Sequence, residues 1–252
     1  MLATIQHVVV WGILLLGVFT FWGTMRQVNP YGRHLQQGQK NTWPARTAWL
    51  VFESPQWFSF ALTFWFTAKS PSPVAVTLFA LWQAHYVHRA ILYPLRMRDT
   101  HKRFPLSGVI FGVLFNAANG FANGYAVAQA PHLAGTAWFG DPRFIVGLVV
   151  AAAGWLINFQ ADSILIDLRS DGSTGYKIPR GGLFRYVSSA NYFGEMVLWF
   201  GWALMSWTFA GLVFALFTVS NLLPRALSHH RWYREHFPDY PRERKAVIPK
   251  VL

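Results

Sequence analysis

The chain has 252 residues, 53% of them apolar, 17% aromatic and only 13% charged, with a formal net charge of +12 and no cysteine. A soluble globular chain carries about 25% charge, so this composition points to lipid as the solvent. The absence of cysteine excludes disulfides and thiolate metal sites. The basic residues lie between apolar runs and not on one face, which argues against a nucleic-acid-binding module.

A membrane-crossing helix needs roughly 20 mainly apolar residues. Five runs meet this, at about 7–25, 47–67, 73–95, 106–128 and 144–166. The first lacks a basic leader and a small-residue cleavage site, so it is read as a retained span and not a signal peptide. The run from Met196 to Leu223 would make a helix of roughly 42 Å, against a hydrocarbon core of ~30 Å. Charge decides how to divide it. Connection 26–46 carries Arg26, Arg33, Lys40 and Arg46 and no acid, and 96–105 carries Arg96, Arg98, Lys102 and Arg103 against Asp99. Segment 167–192 and the tail from Arg225 are also net basic, whereas 68–72 and 129–143 carry little charge. Alternate connections are therefore basic, as the positive-inside rule expects. The tail joins the basic set only if the number of spans is odd. The sequence thus predicts an all-α membrane protein with seven transmembrane helices, the last run splitting near Ser206–Gly211. The N-terminus would lie outside and the C-terminus in the cytosol. No internal repeat, low-complexity stretch or soluble domain interrupts 1–252, which reads as a single membrane domain.

Polar residues inside apolar spans are costly and usually face a cavity or a partner. Glu53 lies about 9 Å into its span from the cytosolic end, and Tyr86 about 15 Å into the next, so the two can meet in the cytosolic half. Asn116, Asn119 and Asn123 share one helix face. Asn158 and Asp162 are spaced four apart, as are Asn191 and Glu195, and Arg225 and His229. Most of these faces fall in the cytosolic half. They suggest a polar cavity open to the cytosol beneath an apolar chamber, with a large polar cofactor entering from water and a lipid-like substrate from the bilayer. Each feature also has a plainer explanation. Membrane Asn residues often bridge helices, basic residues at span ends set topology, and Glu53 could be satisfied by Arg46 or Trp49. His85 and His88 lie three apart, but the nine histidines are too scattered to form histidine boxes, and no metal is expected. Neither GxGxxG between strand and helix nor a P-loop occurs, so a dinucleotide would not be held by a Rossmann fold. The loop GYKIPRGGLFRYVSSANYFGE, 175–195, is the alternative: Gly181 and Gly182 permit close backbone approach, Tyr176 and Tyr186 offer stacking, and Arg180 and Arg185 offer charge for phosphate.

That loop, followed by RALSHHRWYREHFPDYPRERKAVIP, resembles the C-terminal half of the steroid 5α-reductase family. AHYVHRAILYPL (84–95) and NGFANGY (119–125) resemble the family's third and fourth spans, and the likeness is strongest over 155–249. The resemblance implies a seven-span enzyme that uses NADPH to reduce the 4,5 double bond of a 3-oxo-Δ4-steroid, in a bacterial inner membrane or the endoplasmic reticulum. On that pattern Glu53 and Tyr86 hydrogen-bond the C3 carbonyl, hydride goes to C5, and a proton then reaches C4. Glu53 can donate, directly or through Tyr86, only in its protonated form. The matching positions imply that Asn158, Asp162, Arg169, Tyr176, Asn191, Glu195, Arg225, His229, Tyr233 and Arg244 hold the cofactor. The family's basic residue after the third span corresponds to Arg98 or Arg103. Two segments depart from the pattern: Phe52 stands where many members carry Gln, and RMRDTHKRFP differs in spacing.

The implied partners are a steroid or steroid-like lipid and membrane lipids, with no nucleic acid and no protein partner. Two other readings remain open on sequence grounds. A membrane methyltransferase of the isoprenylcysteine or phospholipid type would use S-adenosylmethionine and need no buried Glu–Tyr pair. A lipid transporter would bind without turnover.

Overall fold

The computed structural model describes residues 1–27, 35, 38–98, 102–172 and 175–252. Arg33, His34, Asp99 and His101, used above for topology and metal binding, lie outside the described residues. The long elements are helices. They are α1 (Leu2–Arg26), α2 (Ala45–Thr67), α3 (Pro73–Val87), α4 (Tyr93–Arg96), α5 (Leu106–Gln129), α6 (Pro142–Asp167), α7 (Ala190–Ser206) and α8 (Phe209–His236). A wide π turn, His88–Leu92, joins α3 to α4 without a break in the chain's helical path. The eight helices therefore form seven rods, which alternate in direction.

Local chemistry sets the rod ends. Ser72 caps α3 by accepting from the Ala75 amide at 3.1 Å, and Asp141 caps α6 by accepting from the Arg143 amide at 2.8 Å, each with Pro at the first helical position. The long run from Met196 to Leu223 is two helices. Trp207 adopts a left-handed conformation (φ 47°) and Thr208 then caps α8 through the Gly211 amide at 3.1 Å. Four helices, α1, α5, α6 and α8, are each long and apolar enough to cross a membrane. The other rods miss that standard for visible reasons: α2 carries Arg46, Glu53 and Gln56, the π turn interrupts α3, and α7 has 17 residues. Large apolar side chains on the outer surface, among them Trp11, Phe19, Phe66, Leu114 and Val149, are exposed. That much apolar surface suits lipid and not water.

Packing divides the bundle into two ends. α6 lies on α7 with the backbones in contact: a Cβ added at Gly154 would sit 2.2 Å from the Leu198 amide nitrogen, and one at Gly147 would sit 2.4 Å from that of Met205. Such small-residue seams let helices approach where lipid provides no hydrophobic drive between them. α2 and α5 pack in parallel, joined by Ser59 donating to the Ala117 carbonyl at 2.7 Å and Asn116 donating to that of Phe52 at 2.6 Å. The far end, where α3, α6 and α8 begin, is filled by Phe60, Phe64, Trp82, Trp199, Trp202 and Phe214. Hydropathy suggests an apolar chamber there. The structure has interlocked rings there, together with an apolar cavity of about 250 Å³ lined by Phe200, Leu204, Trp207 and Leu212, and the apolar walls of the polar-end cleft lie on α5 and α8. At the opposite, polar end, strands β1 (Thr42–Pro44) and β2 (Arg103–Pro105) pair antiparallel, and the C-terminal tail returns to the start of α7. Val187 bridges Lys245 in parallel, and Ser188 Oγ lies 2.6 Å from both His230 Nδ1 and the Tyr240 hydroxyl.

Candidate active site

A cleft of about 270 Å³ opens at the polar end between α2, α3, α5, α7 and α8. Glu53 and Tyr86 both line it, as do Asn191, Glu195 and Arg225. The geometry follows from helix periodicity. His85, Arg89 and Tyr93 are four apart and, with Tyr86, occupy one face of the third rod, where the π turn carries that face past Val87. The Tyr86 ring is buried, stacked near Trp199 at 5.9 Å and beside Trp82 at 5.2 Å, which fixes the direction of its hydroxyl. Phe52, Phe104, Phe111, Phe115 and Phe217 form the apolar wall. Phe52 packs on Phe104 at 5.2 Å, against the side of α5 left bare by Gly112.

A polar floor ties the cleft to α6. Arg89 donates to Asp162 Oδ2 at 3.0 Å, and its Nε lies 3.9 Å from Glu53 Oε1. Asp162 is 1% exposed, and its other oxygen accepts from Asn191 Nδ2 at 3.1 Å. Asn158 then donates to the Asn191 carbonyl at 3.0 Å. Glu195 Oε1 accepts from Trp199 Nε1 at 2.9 Å and lies 3.8 Å from His85 Nε2. Glu53 is therefore not satisfied by Arg46, which instead donates to the Met97 carbonyl. Its nearest cation is Arg89. The asparagines of α5 divide: Asn116 lines the cleft, whereas Asn119 and Asn123 face other helices, with Asn123 accepting from Trp202 Nε1 at 3.2 Å.

A second, smaller cleft of about 140 Å³ lies beside the first, and Tyr93 lines both. Arg98, Arg169, Tyr176 and Tyr233 line it, along with Lys102 and Lys177. Arg169 lies 5.5 Å from the Tyr176 ring, and Arg98 is 3.6 Å from Asp167 near the surface. Arg103, the alternative to Arg98, is held in the strand pair through Thr42. His229 packs by Tyr192 at 5.5 Å, and Arg244 is 5% exposed within the tail, over the Tyr240 ring. Sequence-based candidates thus gather in two adjoining clefts, with Asn158 and Asp162 in the floor and His229 and Arg244 behind.

Several cleft residues were not singled out from the sequence, among them Arg89, Tyr93, Phe104, Tyr192, Thr218 and Asn221. Arg89 had a usable signal: it is a charge inside an apolar run, one turn from Tyr86. Among the described residues, no group of three or more His, Asp and Glu side chains is arranged to hold a metal.

Comparison with known proteins gives the family. Residues 102–252 match the family model described as 3-oxo-5-alpha-steroid 4-dehydrogenase. The chain is 41% identical over 245 residues to "Steroid 5-alpha-reductase DET2" of Solanum lycopersicum, covering 96% of this chain and 95% of the relative. It is 43% identical over 226 residues to "3-oxo-5-alpha-steroid 4-dehydrogenase 1" of Rattus norvegicus, covering 89% and 86%. The protein of the same name from Homo sapiens is 42% identical over 230 residues, covering 89% and 87%. At such identity over nearly the whole length, with the glutamate and tyrosine in one cleft, the chain belongs to the steroid 5α-reductase family.

Proposed function

We propose that the protein is an NADPH-dependent reductase of 3-oxo-Δ4-steroids. In this reading all seven rods span the membrane, with the polar end and the C-terminus in the cytosol. The observation that carries the proposal is the convergence of Glu53 and Tyr86 on one cleft whose apolar wall suits a flat hydrocarbon skeleton and whose opposite side presents Asn191 and Glu195.

The residues fit a polyanionic dinucleotide. The smaller cleft is basic and holds an aromatic ring for stacking. Arg244 Nε and Nη1 and Arg225 Nε are buried and make no hydrogen bond among the described residues, as donors awaiting phosphate or carbonyl oxygens would be. Glu195 Oε2 likewise has no donor. Arg98, Arg169, Tyr176 and Tyr233 would hold the adenosine end, and Asn158, Asp162, Asn191, Glu195, Arg225 and His229 the nicotinamide end, with Arg244 at the phosphates. When bound, the reduced nicotinamide supplies the hydride that C5 of the enone accepts.

The protein's own part is electrostatic. Addition at C5 of an enone moves negative charge onto the distant C3 oxygen. The Tyr86 hydroxyl, backed by Glu53, donates to that oxygen, and the contact strengthens as charge develops, so it lowers the barrier more than it aids substrate binding. The buried rings around Tyr86 exclude water and keep the donor aimed. Asp162, held by Arg89 and Asn191, fixes the floor. A proton from solvent then adds to C4 as the enolate returns to the ketone.

Incubation of purified protein with NADPH and a panel of 3-oxo-Δ4-steroids tests the proposal. NADPH oxidation matched by 5α-reduced product is expected. Neither oxidation nor product across the panel sinks it, and steroid binding without turnover would indicate a carrier.

A further inference from the structure

The polar floor contains one guanidinium and more carboxylate than it can serve. Arg89 Nη1 donates to Asp162 at 3.0 Å, whereas the 3.9 Å from Arg89 Nε to Glu53 is too long for a hydrogen bond. The guanidinium is flanked by the rings of Trp49, at 4.6 Å, and Tyr93, at 5.0 Å. Those rings come from α2 and α4, and they confine the group to a slot. Within the slot it divides between the two carboxylates it touches on different helices, Asp162 and Glu53, while Glu195 of the same cleft adds to the field on it. One of these, Asp162, is also bonded to Asn191, which is tied to Asn158. The other, Glu53, lines the cleft beside Tyr86. Arg89 thus reaches both Glu53 and Asp162.

We propose that Arg89 is a positioning residue that couples the cofactor-side pair Asp162–Asn191 to the carbonyl-side Glu53. The proposal rests on the functional reading above. A ligand that engages Asn191 alters the second bond of Asp162, and Asp162 then takes a different share of the guanidinium. What Asp162 gains, Glu53 loses. Linkage makes the effect reciprocal: a change at Glu53 must alter affinity for whatever binds at Asp162 and Asn191, although Glu53 lies across the floor from them. Lysine cannot replace Arg89 in this role, because an ammonium lacks the planar fork that lets one group face two carboxylates from a slot between rings.

The test is a binding cycle with NADPH as the probe, read by quenching of the protein's tryptophan emission in detergent without steroid. Glu53→Gln removes the charge that Glu53 can present to Arg89 in the steroid-free protein and leaves the guanidinium nearer to Asp162. NADPH should then bind about three- to ten-fold more tightly, within the usual range of coupling between sites. In the Arg89→Lys background the same change should alter the dissociation constant by less than about two-fold. A general charge effect would survive in that background, because lysine keeps the positive charge, so an equal shift in both backgrounds overturns the proposal. An unchanged NADPH affinity in Glu53→Gln overturns it too, while leaving the functional reading in place. Failure of the wild-type protein to bind NADPH overturns the functional reading and this inference together. If Arg89→Lys does not fold, Asp162→Asn closes the cycle: it weakens the hold on Arg89 at constant shape, and the Glu53→Gln shift should again shrink below about two-fold.

Discussion

The two ends of the bundle use the same kinds of side chain in opposite ways. At the far end several polar atoms are spent on other helices. Trp138 Nε1 donates to the Met205 carbonyl at 2.9 Å, and His132 Nε2 lies 3.0 Å from that of Ser206. Rings fill the remaining space, with Phe60 and Trp82 stacked at 4.5 Å and Trp82 against Trp202 at 4.8 Å. At the polar end, Glu195 Oε2, both His85 ring nitrogens and Arg225 Nε are buried without a hydrogen bond among the described residues. Unsatisfied buried polar groups are costly, and a protein that keeps several together usually has a ligand to satisfy them. One end is scaffold and the other is machinery, so damage to each should show in different measurements.

The largest effect is expected in the scaffold. Gly147→Val puts a side chain where even a Cβ would lie 2.4 Å from the Met205 nitrogen, so α6 and α7 must separate. A loss of about 4 kcal/mol or more is expected, read as poor yield and a lowered unfolding temperature in detergent. Activity per folded molecule should stay near wild type. Folded protein with impaired turnover would blur the division between the ends. Next come Glu53→Gln and Tyr86→Phe. Each should lower kcat by about 10²–10³-fold, the usual cost of losing a donor to a developing oxyanion, while the unfolding temperature stays within a few degrees. Loss of stability in place of rate would make the pair structural. A smaller effect is expected for Arg98→Ala at the rim of the second cleft. The KM for NADPH should rise about ten-fold with little change in the KM for steroid, and equal changes in both would remove Arg98 from the cofactor site.

The smallest effect belongs to the cap of α6. Arg143 donates to both oxygens of Asp141 and holds its carboxyl down at about 2, from an ordinary value of 3.8. A lowered folded-state value means stability that is present above about pH 4 and lost as pH falls towards 2. Asp141→Asn should therefore lower the unfolding temperature only slightly at neutral pH and flatten its decline over that acid window. An unchanged decline would assign the acid response elsewhere.

The rods were legible because each is a long apolar run bounded by Pro, by Ser, Thr or Asp caps, or by charge. The helix break was legible only indirectly, from the parity of basic connections, and the structure places it at Trp207 and Thr208. Glu53, Tyr86, Asn191 and Glu195 stood out as polar residues in apolar runs, and they share one cleft. Arg89 carried the same signal as a charge in an apolar run, but a basic residue in the polar half of a span also reads as a topological marker. Sequence order alone does not show that a π turn points it inward. The packed rings of the far end were equally illegible, since hydropathy cannot show how much of an apolar region is filled. The union of the tail with residues 186–189 combines backbone hydrogen bonds with the Ser188 hydroxyl, and neither has a periodic signature in the sequence.

The most direct measurement follows the label from NADPH deuterated at C4 of the nicotinamide into a 3-oxo-Δ4-steroid, with the product read by NMR. The account predicts transfer of deuterium to C5 in the 5α configuration and a proton from solvent at C4. Deuterium at C4, or a 5β product, would contradict a cleft in which Glu53 and Tyr86 hold the C3 oxygen while C5 receives the hydride.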